Sequence, residues 1–291
     1  MNIEKWLEKN TSSLKGKTVA VTGTTGGLGR ELCRYLAGLG ASLILLDRSH
    51  ERSDAFRQEL EDQFGILAEC ITVDLENFSS VKHASAELCS RPIDIFIHNA
   101  GAYSIPRRVT AEGFDNVFLI NFVSPYYMIR SVLPILHARG GRVITVGSIA
   151  HRYSRTDPND IDFSTRRRAS LVYGNAQRYL MFSLYSICAS KGVSLAVTHP
   201  GISFTGITAH YPRLIFAIIK HPMKLIFMKP RRACLSILRG AFEGCGKNEW
   251  IGPCFFDIWG MPKKKHLRSV CDREAEYISD IAEKIYADIL K

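Results

Sequence analysis

The run Thr22-Gly23-Thr24-Thr25-Gly26-Gly27-Leu28-Gly29 is the first place where residue type and spacing suggest chemistry. It follows a β-branched apolar stretch and opens a segment of helical period. Glycines there let the chain turn tightly and bring backbone N–H groups against a pyrophosphate, while the helix N-terminus adds partial positive charge. The glycines alone would be an ordinary turn; strand, glycines and helix in succession make a phosphate cradle. At the end of the next apolar stretch stand Asp47 and Arg48. A carboxylate there accepts hydrogen bonds from the adenosine ribose hydroxyls and repels a 2′-phosphate, whereas an arginine attracts one. The two pull in opposite directions. We read the pair as favouring NAD(H), with NADP(H) as the alternative, because a like-charge contact with the phosphate is hard to relieve.

The elements that must position these groups follow from hydrophobic period. Short β-branched or Leu-rich runs at Lys17–Thr22, Ser42–Leu46, Ala68–Val73, Ile93–His98, Arg142–Val146, Ser194–Thr198 and Trp250–Phe255 read as strands. Between them, helical stretches lie around Leu28–Leu39, Glu51–Phe64, Val81–Cys89, Phe114–His137, Ser170–Ser190 and Arg231–Glu243. The alternation predicts an α/β fold: a single Rossmann-type, doubly wound parallel sheet of about seven strands with helices on both faces. We expect an extension over 1–14, the dinucleotide-binding domain over 15–260 with a substrate lid at about 203–230, and a basic helical tail over 261–291.

The 291 residues, 46% of them apolar, suffice for one large core. The net charge of +10 is unevenly placed: residues 163–242 contain no Asp or Glu and carry +12, so the remainder sums to −2. A globally basic chain would suggest nucleic acid; one basic, apolar-rich stretch on a neutral body suggests a local surface or an anionic ligand, and no nucleic-acid motif accompanies it. The eight cysteines form no CxxC pair and no metal-like grouping, and the N-terminus has no secretory character. Free thiols in a reducing compartment, the cytoplasm, are the expectation.

In this order and spacing, five elements make the sequence resemble the short-chain dehydrogenase/reductase family from about Lys15 to Phe255. The glycine run matches Thr-Gly-x-x-x-Gly-x-Gly through Gly23, Gly27 and Gly29. Asp74-Leu75 matches the acid-plus-aliphatic pair that contacts adenine. His98-Asn99-Ala100-Gly101 resembles Asn-Asn-Ala-Gly with its first residue replaced. Asn121 falls where the family keeps a helix-distorting Asn that holds a water of the proton relay. Pro200-Gly201-Ile202-Ser203-Phe204-Thr205 matches Pro-Gly-x-x-x-Thr, the loop that cradles the nicotinamide carboxamide through Pro200, Ile202 and Thr205. The stretch Gly147–His151 with Ile161-Asp162-Phe163 is similar to the retinol-dehydrogenase-like branch, which acts on bulky apolar alcohols, aldehydes and ketones. The resemblance implies that Ser148 binds the substrate oxygen, that Tyr173 exchanges its proton, and that hydride moves between that carbon and a nicotinamide. It also implies a homo-oligomer built through the two long central helices.

The family motif Tyr-x-x-x-Lys is broken. Tyr173-Gly174-Asn175-Ala176-Gln177 puts Gln at the Lys position, on the same helix face as the tyrosine. A neutral amide can bind the nicotinamide ribose but cannot stabilise a phenolate. At an effective dielectric of about 20 and about 6 Å, the missing charge amounts to roughly 3 kcal/mol, or about two pKa units. Arg178 points about 100° away around the helix and is not expected to substitute. Three readings follow: a slow or reduction-biased enzyme, an enzyme whose cation comes from elsewhere, or a dinucleotide-binding regulatory or scaffold protein without turnover.

The loop after the sixth strand, 202–230, is strongly apolar, with Lys220, Lys224 and Lys229 in it and Arg231 and Arg232 directly after it. It reads as a lid over an apolar substrate or as a surface dipping into an anionic membrane, two roles that are compatible. Arg166-Arg167-Arg168 reads either as a solvated charge run or as an anchor for an acidic substrate, and Lys263-Lys264-Lys265 as a solvated run.

Overall fold

A computed structural model describes residues 2–201, 228–267 and 269–290. The chain alternates strand and helix as its periodicity demands. Helix α1 covers Ile3–Asn10, followed by β1 Thr18–Thr22, α2 Gly27–Gly38, β2 Ser42–Asp47, α3 His50–Phe64, β3 Ala68–Thr72, α4 Phe78–Leu88 and β4 Ile95–His98. A one-turn helix α5, Asn116–Phe118, runs through a π-turn at Leu119–Val123 into α6, Ser124–Ala138. Then come β5 Arg142–Val146, a 3-10 turn at Ile149–Tyr153, α7 Ala169–Ser190, β6 Ser194–Thr198, α8 Pro230–Ala233, α9 Leu235–Gly240, β7 Glu249–Phe255, β8 Trp259–His266 and α10 Asp272–Ile289.

These strands form one sheet in the order β3-β2-β1-β4-β5-β6-β7-β8, parallel except for the β7/β8 pair. Strands covered on both faces must be apolar on both, which is why Val19, Ala20 and Val21, and Leu43 through Leu46, are all buried. On one side α2 lays Leu32 and Leu36 on the sheet; on the other, Phe118, Phe122 and Tyr179 form an aromatic cluster with centroids 5.0 to 5.3 Å apart. The strand order reverses between β1 and β4, so the carboxyl ends of those strands open a crevice where a ligand binds in such sheets.

Two features depart from the sequence expectation. An eighth strand, β8, crosses the expected boundary at 260, so Lys263-Lys264-Lys265 lies on an antiparallel edge strand rather than in a helical tail. Charged residues suit an edge, where they oppose pairing with another chain. Lys264 and Lys265 are spent on Glu243 and Asp257, both 2.7 to 2.8 Å away. Second, α10 packs across α7 and α6, burying Ile278, Ala282 and Ile285 and placing Tyr286 against Tyr126 and Tyr127. The apolar run Asn116–Ala138 is long enough to cross a membrane, but 72% of it is buried in the fold, as befits a core helix.

Candidate active site

The glycine loop sits at the carboxyl end of β1. Thr22, the last residue of that strand, accepts the N–H groups of Asn99 and Ala100 on its hydroxyl, each at 3.0 Å, and faces His98 Nδ1 at 3.2 Å. With both lone pairs taken, the hydroxyl proton goes to Nδ1. His98, standing where the family has asparagine, is thus a neutral acceptor, and burial pushes its imidazole down to about 3. Asn99 donates from Nδ2 to the carbonyls of Thr22 and Gly23, leaving its buried Oδ1 without a partner.

Gly23 has φ +72°, and a Cβ on Gly29 would lie 2.1 Å from the Gly23 carbonyl, so both positions exclude other residues. Gly26, at the N-cap of α2, supplies no side-chain cap. The first N–H groups of that helix, at exposed Gly27, half-buried Leu28 and Gly29, are left for an anion.

Asp47 ends β2, where the sequence placed it. Its carboxylate turns under the loop and accepts from Thr24 and Thr25: Thr24 N and Thr25 N at 3.1 Å each, Thr25 Oγ1 at 2.9 Å, and the Thr24 hydroxyl as well. Asp47 is 6% exposed and its acceptors are spent on loop donors, whereas Arg48 is exposed; the Arg52 guanidinium lies 3.5 Å from the Thr25 carbonyl. Asp74 and Leu75 follow β3 on the same edge of the sheet. Asp74 closes its own turn by accepting from Glu76 N, and the buried Leu75 accepts the Ser124 hydroxyl on its carbonyl.

The structure sets Ser148 against Tyr173, with Gln177 one turn further along the same helix α7 and Asn121 in the π-turn that packs on it. Asn121 lies in the π-turn, which takes a helical carbonyl out of the regular ladder, and its side chain clips the turn to the loop after β4. Oδ1 accepts from Ala102 N at 3.0 Å, and Nδ2 donates to the carbonyls of Ala102 and Val117. A Cβ on Gly101 would meet that Oδ1 at 2.9 Å, which accounts for the glycine.

Ser148 caps the 3-10 turn, and its side chain acts on the Tyr173 hydroxyl. Burial pushes the Tyr173 phenol up to about 12 against the lowering effect of Ser148; Tyr103, whose ring meets it edge-on at 5.3 Å, raises it slightly. Among the described residues, no cation acts on this hydroxyl. Gln177, one turn along α7, is 3% exposed with its Oε1 unpartnered. Arg178 turns to the other side and pairs with Glu274 at 2.6 Å, as helical geometry required.

Pro200 and Gly201, at the end of β6, are buried on the same edge. Ile202, Thr205 and the lid up to residue 227 lie outside the described residues, as do Arg213, Lys220 and Lys224 of the basic stretch. Of the remaining basic residues, Arg166 pairs with Asp157 and Asp160, and Arg239 with Glu243, whereas Arg167 and Arg168 are exposed at the start of α7.

Sequence reasoning missed Gly174. A Cβ there would lie 2.3 Å from the Ala150 carbonyl and 2.7 Å from Ser154 Oγ, so the glycine lets α7 approach the turn that carries Ser148. The available signal was a helix-interior glycine directly after the tyrosine, at a cost of about 1 kcal/mol. Gly174→Ala is expected to push the turn off Tyr173, lowering single-turnover carbonyl reduction about tenfold or more while cofactor affinity, measured by fluorescence titration, stays unchanged.

Comparison with known proteins places these features in a family setting. Residues 17–157 match the family model described as short chain dehydrogenase. Dehydrogenase/reductase SDR family member 13 of Bos taurus is 30% identical over 233 residues, covering 77% of this chain and 61% of that protein. Human retinol dehydrogenase 13 is 26% identical over 212 residues, covering 68% and 62% respectively. The chain thus spans somewhat less than two thirds of the length of each. Among solved structures, an uncharacterized protein from Mycobacterium paratuberculosis superposes with a TM-score of 0.76 at 23% identity, covering 96% of both chains, which shows a shared fold.

Proposed function

From the match of residues 17–157 to the short chain dehydrogenase family model we propose that the chain is a nicotinamide-dependent oxidoreductase for an apolar alcohol/carbonyl pair, biased towards reduction. The observation that carries the proposal is the Ser148–Tyr173 pair together with an uncapped glycine-loop helix, with no cation acting on the phenol among the described residues.

The residues present fit a dinucleotide. Gly23 and Gly29 keep the loop tight, the first N–H groups of α2 await phosphate, and the buried Oδ1 of Asn99 and Oε1 of Gln177 lack the donors that ribose hydroxyls and amide groups carry. When bound, the nicotinamide supplies or accepts the hydride. The chain does the rest. Ser148 orients the substrate oxygen, Tyr173 holds the proton that this oxygen receives, and Gln177 binds by hydrogen bonding without adding charge. A phenol held near 12 is protonated at neutral pH, ready to donate and poorly able to abstract.

For the cofactor, the geometry shifts our reading from NAD(H) to NADP(H). The Asp47 acceptors are taken up by Thr24 and Thr25, so the carboxylate has little left for the ribose hydroxyls, while Arg48 stands exposed. The expected outcome is tighter binding of NADPH than of NADH. Arg48→Ala is expected to raise the NADPH Kd about tenfold, the worth of one charge-assisted hydrogen bond, and to leave NADH within about twofold. Equal losses for both cofactors would reject this assignment.

The substrate class rests on the apolar character of 202–230 and on the name of the retinol dehydrogenase relative. The test is NADPH oxidation with a panel of apolar aldehydes and ketones, all-trans-retinal among them. Tight cofactor binding without turnover on any member would favour a non-catalytic dinucleotide binder instead. Contact with an anionic membrane through the basic stretch stays part of the proposal. A homo-oligomer through α6 and α7 would have to form around α10, which lies across those helices.

A further inference from the structure

Arg178 follows Gln177 in α7, and its guanidinium is buried, 2% exposed. Five hydrogen bonds hold it. Nη2 donates to Glu274 Oε2 at 2.6 Å and Oε1 at 2.7 Å, Nε to Oε1 at 3.2 Å, Nη1 to the His151 carbonyl at 2.7 Å, and Nη2 also to the Ser269 carbonyl at 3.1 Å. Glu274, in the first turn of α10, accepts in addition from Thr156 N and Oγ1 at 3.3 and 3.2 Å. The His151 carbonyl belongs to the 3-10 turn that Ser148 caps, and His151 returns to the Ser148 carbonyl through both its N–H at 3.2 Å and Nδ1 at 2.5 Å. Gly174 and Arg178 stand four residues apart and so share a helix face: the glycine lets that face approach the turn, and the arginine grips it.

A buried ion pair is weak ground for claiming stability, because desolvation offsets most of the attraction. What a planar, multiply bonded guanidinium provides is fixed geometry. The three elements it ties together are the catalytic helix, the Ser148 turn and the last helix, and nothing in the nucleotide half of the sheet is involved. We propose that Arg178 and Glu274 are positioning residues, a clamp by which α10 fixes the Ser148 turn against Tyr173 and so sets the rate of proton transfer without contributing to cofactor binding. The role of Ser148 and Tyr173 in it rests on the oxidoreductase reading.

Glu274→Gln keeps the size and one acceptor of the side chain but removes its charge; Glu274→Asp keeps the charge and serves as the milder variant. Hydrogen exchange is followed in full-length protein over the peptide spanning Ser148–Ser154, alongside the NADPH Kd and steady-state reduction of all-trans-retinal. For Glu274→Gln, the expected result is about tenfold faster exchange in the turn and a kcat about tenfold lower. Retinal KM and NADPH Kd are expected to stay within about threefold, and Glu274→Asp to recover much of both losses. A merely structural role would move Kd and kcat together, or neither, and that result overturns the clamp, as does unchanged exchange in the turn in both variants. Should the wild type reduce no carbonyl, the oxidoreductase reading falls, while the physical tie between α10 and the Ser148 turn still stands or falls on the exchange data.

Discussion

Tyr173→Phe is expected to lower carbonyl reduction by about a hundredfold to ten-thousandfold, the usual contribution of a positioned proton donor, with the NADPH Kd unchanged. The substitution removes only the hydroxyl. The ring keeps its edge contact with Tyr103 and its place on α7, so the fold and the glycine loop have no reason to respond. Ser148 keeps the Ala150 N–H, 3.2 Å from its Oγ. Stopped-flow reduction with saturating NADPH, paired with a binding titration, separates the chemical step from assembly of the complex. A variant that retains more than about a tenth of the wild-type rate would mean that the proton reaches the substrate oxygen from another group, and the site assignment would have to be withdrawn.

The sheet was legible because its strands are buried on both faces and its helices on one, so period alone separates them: runs such as Val19–Val21 and the steps Leu32 to Leu36 carry the topology in their own composition. β8 was not, because an edge strand reading Trp-Gly-Met-Pro-Lys-Lys-Lys-His has no alternation, and only its pairing with β7 makes it a strand. The site divides in the same way. The glycine run, Asn121, Ser148 and Tyr173 stand in local motifs, so the sequence could place each on its element. The bonds from Thr24 and Thr25 to the Asp47 carboxylate were not legible, because they depend on a side-chain rotation no spacing records. The Arg178–Glu274 contact joins residues 96 apart in the chain, and without the packing of α10 on α7 neither residue announces the other.

Gln177→Lys carries the largest expected gain and tests the departure on which the direction of the reaction turns. In the wild type the Tyr173 phenol is pushed up to about 12, so at pH 8 roughly one molecule in ten thousand holds the phenolate that alcohol oxidation requires. An ammonium about 6 Å away at an effective dielectric of about 20 favours that phenolate by roughly 3 kcal/mol, about two pKa units. Oxidation of retinol at pH 8 is therefore expected to rise towards a hundredfold in Gln177→Lys, with the alkaline limb of its pH profile displaced downwards by about two units. Reduction uses the protonated phenol, which both proteins hold in excess at neutral pH, and is expected to change by less than about tenfold. Burial opposes the gain, since Gln177 is 3% exposed and desolvation disfavours a charged lysine there. A gain below a hundredfold with the displaced pH limb still fits the argument; the same rate with an unmoved limb does not. That second outcome would mean the phenolate is already stabilised in the wild type, and Gln177 would then mark a cation supplied elsewhere rather than a bias towards reduction.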